Sequence, residues 1–90
     1  MPYIAKAARQ RIADGAVPES PGELNYALTR AVEEYISVNY GGRLSYTALN
    51  AVVGVLECVK LELYRRVAAP YEDVKRAENG EVYEFAPKVQ

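Results

Sequence analysis

Apolar positions recur at helical spacing over three stretches of this chain, and turn-forming residues separate them. The first stretch, Pro2 to Asp14, places Ile4, Ala8 and Ile12 on one side of a short helix. Gly15 to Pro21 then holds a glycine and two prolines, the composition of a linker, so 1–20 reads as an N-terminal segment and linker. Ser20, Pro21 and Glu23 together mark a helix start: an N-cap hydroxyl, a proline whose missing N–H costs nothing in the first turn, and a capping-box carboxylate. From there Leu24, Leu28, Ala31, Val32, Tyr35 and Ile36 share a face, and Gly41 and Gly42 close a helix over 21–40. Ser45 is a second N-cap, and a helix over 45–69 follows. Its main face is Leu49, Val52, Val53, Leu56, Val59, Leu63 and Val67. So short a connection predicts an antiparallel helical hairpin. Pro70 lacks the donor that a continuing ladder needs, so the helix is expected to stop or kink there. The rest, 70–90, reads as a short helix over Tyr71–Glu78, a turn at Asn79 and Gly80, and a tail in which Val82 to Phe85 alternates as a short strand would.

The expected class is therefore all-α: a helical hairpin with a short N-terminal helix and a short C-terminal tail. The 45–69 helix is apolar around too much of its circumference for one neighbour to cover, because Ala48, Ala51, Val55 and Cys58 widen its main face. Ninety residues bury only a modest core, so a homo-oligomeric bundle is the expected way to cover the surplus.

Composition narrows the chemistry. Eleven basic and twelve acidic residues leave a net charge of −1, which gives no field for generic DNA or RNA binding. Histidine is absent, and with it the commonest general base and metal ligand. The one cysteine, Cys58, can form neither an internal disulfide nor a zinc cluster, and its place in an apolar helix predicts a packing role. No apolar run is long enough for a membrane span and no signal-peptide pattern is present, so a cytoplasmic setting is expected. No phosphate loop, nucleophile motif or metal cluster stands out; neither an enzyme nor a bound cofactor is expected.

The second helix also carries a mixed stripe. One step per turn from Asn50 reaches Gly54, Glu57, Lys60 or Leu61, and Tyr64. A glycine inside a helix costs roughly 1 kcal/mol relative to alanine, which points to a helix or a ligand approaching the backbone at Gly54. Lys60 and Arg65 are the cations that would meet a phosphate or carboxylate, and Tyr26, Tyr64 and Tyr71 the rings that would stack on a base or donate a hydroxyl. Asn25, Asn50 and Glu57 would read polar edges. In an antiparallel hairpin Asn25 and Tyr26 would lie beside Tyr64 and Arg65. A solvated ladder of Glu57–Lys60 and Glu62–Arg65 or Arg66 pairs explains many of the same charges without a ligand.

The segments GELNYALT (Gly22–Thr29), LSYTALNAVVGVLE (Leu44–Glu57), KLELYRRVAAPYEDVK (Lys60–Lys75) and NGEVY (Asn79–Tyr83) resemble a family of small, functionally uncharacterised proteins of bacteriophages and prophages. The resemblance implies a host-cell cytoplasmic setting. It also admits a role in host takeover or immune evasion, such as an oligomeric anti-defence sponge that sequesters a small anionic, nucleotide-like ligand without turnover. The alternative is a protein-binding adaptor or a small virion-associated structural protein.

Overall fold

The structure, a computed structural model, describes residues 1–85 and is helical, with no strand among those residues. Four α-helices follow one another: α1 (Lys6–Ala13), α2 (Pro21–Tyr40), α3 (Tyr46–Leu63) and α4 (Ala69–Asn79), the last two joined by a π-helical turn at Tyr64–Ala68. The chain divides into two units, Met1–Val52 and the remainder from Val53.

In the first unit α1 packs against the beginning of α2. Ser20 caps α2 by accepting the Glu23 backbone N–H at 3.2 Å, which satisfies one of the donors left without a partner in a helical first turn. The Glu23 carboxylate does not close a capping box back onto Ser20. It accepts the Glu19 N–H at 3.0 Å and pairs with Arg11 of α1, so one side chain ties linker, cap and neighbouring helix together. Arg11 also donates to the Val17 carbonyl at 3.4 Å and lies 3.6 Å from Glu19. Ile4 sits over Gly22, where a Cβ would come 3.5 Å from Ile4 Cγ2. At its other end α2 stops on Gly41, whose φ of 64° is left-handed and whose N–H bonds to the Ile36 carbonyl. Ser45 then caps α3 through the Ala48 N–H at 3.0 Å.

In the second unit the backbone stays helical through Pro70, and the regular α-helical ladder expected to stop or kink there is interrupted by the π turn. Leu63, Ala68 and Ala69 all keep right-handed helical dihedrals. The π turn is how the chain accommodates the proline. Ala69 donates to the Tyr64 carbonyl five residues back, so the wider turn stands immediately before Pro70, the residue that has no N–H with which to continue a regular ladder. α4 ends at Gly80 (φ 94°), whose N–H reaches the Arg76 carbonyl at 2.8 Å. The short strand expected over Val82–Phe85 does not form. Val82 and Tyr83 donate their N–H groups to the Glu81 carboxylate at 2.9 and 3.1 Å, and Glu84 and Phe85 form a turn. The rest of the expected tail, 86–90, lies outside the described residues.

Very little of this surface is covered. Among the described residues only Ala48 is buried, at 1% exposure. On α2, Leu24, Leu28, Ala31 and Tyr35 of the apolar face remain exposed. No helix is long and apolar enough to cross a membrane.

Candidate functional site

The residues singled out in the sequence fall in both units. Asn25, Tyr26 and Asn50 belong to the first, and Glu57, Lys60, Tyr64, Arg65 and Tyr71 to the second. Each unit is described by itself. In the first, Asn25 Oδ1 accepts the Thr29 hydroxyl at 3.2 Å, one turn along α2. Tyr26 lies under the Arg9 guanidinium, 5.7 Å from its ring centroid, a cation–π contact that fastens the α1 side to α2. Arg9 is held there because its Nε donates to the Ile4 carbonyl at 2.8 Å. Asn50 is exposed on α3.

In the second unit Lys60 is engaged by Glu57 at 2.7 Å, one turn away on the same exposed face. Such a pair contributes about 0.5 kcal/mol or less and blunts the ammonium as an anion site. Arg65 and Arg66 are exposed in the π turn, and neither takes part in an ion pair among the described residues. Tyr64 donates its hydroxyl to Glu72 at 3.1 Å, bridging the π turn to α4. That hydrogen bond, with the Glu72 charge, raises the Tyr64 phenol above its ordinary value. Tyr71 lies beneath Lys75, 5.7 Å from ring centroid to ammonium. Gly54 has nothing within 4 Å of where a Cβ would be, so its own chain makes no close approach to the α3 backbone at that point. Cys58, expected to pack, is exposed.

A feature not anticipated from the sequence is a cleft of about 660 Å³ where the tail folds beside α4, lined by Tyr64, Glu72, Asp73, Lys75, Arg76, Glu81 and Tyr83, with Asn79, Gly80 and Val82. Of the predicted site residues only Tyr64 lines it. Its two cations are already engaged: Arg76 lies 3.6 Å from Asp73 and 3.7 Å from Glu81, and Lys75 is 3.2 Å from Glu78. With three carboxylates against two cations around the rim, this cleft does not favour an anion. The local i,i+3 pairs were visible in the sequence; the return of Glu81 onto Arg76 was not. Among the described residues no group of three His, Cys, Asp or Glu side chains is placed to hold a metal ion.

The larger feature is an apolar stripe along the helix of the second unit. Leu56, Val59, Leu63, Val67, Tyr71 and Val74 are between 42% (Leu56) and 62% (Tyr71) exposed. They recur at spacings of three and four residues, the signature of a helix face made to be covered. Among them Val59 and Leu63, with Val55, Cys58 and Glu62, line a shallow and largely apolar groove on α3.

No curated protein and no solved structure matches this chain. The family described as "Domain of unknown function (DUF6899)" matches residues 1–82, most of the two units just described, and the chain belongs to that family.

Proposed function

We propose that this protein is a non-catalytic helical module that assembles with copies of itself and, in the assembled form, captures a small anionic or nucleotide-like ligand without turnover. The observation that carries the reading is the exposed apolar stripe from Leu56 to Val74. Covering a half-exposed Leu, Val or Tyr side chain contributes about 1 kcal/mol. Two copies of the six stripe residues together approach the roughly 4–15 kcal/mol that association costs in lost freedom of motion. Helix pairing of this kind accords with the antiparallel hairpins and homo-oligomeric bundle expected from the sequence.

Support for the ligand comes from Arg65 and Arg66, exposed between Tyr64 and Tyr71 without acidic partners among the described residues. Guanidinium groups beside aromatic rings suit a phosphate carried by a stacking base. Asn25, Tyr26, Asn50, Glu57 and Lys60 would supply the polar edges and a further cation once subunits meet. In this reading such capture takes place in the host-cell cytoplasm, as an anti-defence sponge for a signalling nucleotide. A second reading rests on the same stripe: a protein-binding adaptor or virion-associated structural protein, with the face covered by a different protein.

Native mass spectrometry of the purified protein, followed by mass analysis of what denaturation releases, tests the proposal. An oligomer that releases a discrete phosphorylated small molecule supports it, and a monomer without small molecule favours the adaptor. Replacing Lys60 and Arg65 together by alanine is expected to abolish ligand retention while leaving the oligomer intact. Undiminished retention would remove these residues from the site.

A further inference from the structure

Counted along the chain, the stripe Leu56, Val59, Leu63, Val67, Tyr71, Val74 has steps of three, four, four, four and three residues. A seam for a paired helix needs strict alternation of three and four. The departure lies in the step from Leu63 to Val67, and the π turn at Tyr64–Ala68 falls on that step. A π turn takes up one residue more than an α turn, so that step counts as three along the helix surface. The seam then runs three, four, three, four, three without a break. The turn that accommodates Pro70 thus also restores the three–four alternation across the junction of α3 and α4.

The stripe also reads the same from either end. A two-fold axis across the helices at Arg65 sets Leu56 against Val74 of a second copy, Val59 against Tyr71, and Leu63 against Val67. An isologous contact demands this reciprocity, in which each residue meets the one that meets it. Charge favours the same orientation. Antiparallel pairing places Lys60 opposite Pro70, Glu62 opposite Ala68 and Lys75 opposite Val55, and leaves like charges level only at Arg65 on the axis and at Glu57 with Asp73. Parallel pairing would set each of those three charges level with its own copy, and would align the helix dipoles unfavourably. Gly54 and Cys58 lie off the seam, so neither is needed for contact.

We infer that the Leu56–Val74 seam is the surface through which two copies pair, antiparallel and centred on the π turn. The inference rests on the self-assembly proposed above and adds the face, the orientation and the register. Its test uses the full chain with Cys58→Ser. One preparation carries Leu56→Cys, another Val74→Cys, and the two are oxidised separately and mixed. Positions 56 and 74 lie about 27 Å apart along one helix, whereas a disulfide needs Cα atoms closer than about 7 Å. The expected result is a disulfide between chains in the mixture and none in either preparation alone. Val59→Cys with Tyr71→Cys repeats the test at inner positions, so that a folding defect in one pair does not decide it. Cross-linking of Leu56→Cys with itself would overturn the antiparallel register. Absence of any seam disulfide in a protein that native mass spectrometry shows to be oligomeric would overturn the seam and leave self-assembly standing, while a monomeric protein would overturn both.

Discussion

Gly54→Ala separates two accounts of the glycine in the middle of α3. A glycine in a helix interior costs about 0.8–1.0 kcal/mol relative to alanine, because more backbone freedom is lost on folding. A protein keeps such a residue when a side chain would obstruct something. Here an added Cβ meets nothing within 4 Å, and Gly54 lies off the seam inferred for pairing. The substitution is therefore expected to stabilise the helix by close to the full propensity difference. For a chain of this size that is roughly 4–8 °C in midpoint temperature, read by far-UV circular dichroism at one fixed protein concentration, since assembly makes the midpoint concentration-dependent. Gly41→Ala serves as a control with the opposite sign. Gly41 has a φ of 64°, a left-handed conformation in which a Cβ costs about 1–2 kcal/mol. A lower midpoint for Gly54→Ala, or loss of an oligomer that the unaltered protein forms, would refute the reasoning. It would show that another chain or a ligand rests on the α3 backbone at that point.

Ser20→Ala removes the cap of α2 and is expected to cost about 1 kcal/mol, seen as faster amide exchange in the first turn of that helix. The Glu23 carboxyl is held below its ordinary value, first by the hydrogen bond from Arg11 and then by that from the Glu19 N–H. Its contribution is therefore fully present above the ordinary carboxylate range and lost as the pH falls through the lowered value. Protection of α1 amides should decline over that acidic interval, and Glu23→Gln should remove this pH dependence. Pro70→Ala lets the backbone close a regular α-helix in place of the π turn, which rotates everything beyond it by about 100° and replaces the three–four alternation of the seam by three successive steps of four residues. Helicity should hold or rise while pairing weakens at least about a hundredfold, equivalent to roughly 3 kcal/mol of lost apolar cover. An unchanged oligomer by sedimentation would count against the role given to the turn.

The sequence alone determined what is decided within a turn or two of the chain. Ser20 and Ser45 are caps because a hydroxyl there reaches an N–H three residues on. Gly41 is a stop because its φ suits no other residue as well, and the Glu57–Lys60 pair follows from i,i+3 spacing. The all-α class came from the same local rules. What the tertiary structure decided depends on contacts between distant residues or on a choice between local alternatives. Glu23 could have closed its own capping box, and proximity of α1 turned it to Arg11 instead. Pro70 forbids one hydrogen bond but does not say whether the chain breaks or widens into a π turn. Apolar periodicity identified the faces of α2 and α3, yet exposure depends on what lies opposite, and the described residues leave both largely uncovered. Periodicity records that a face is made to be buried; only packing shows whether its own chain buries it.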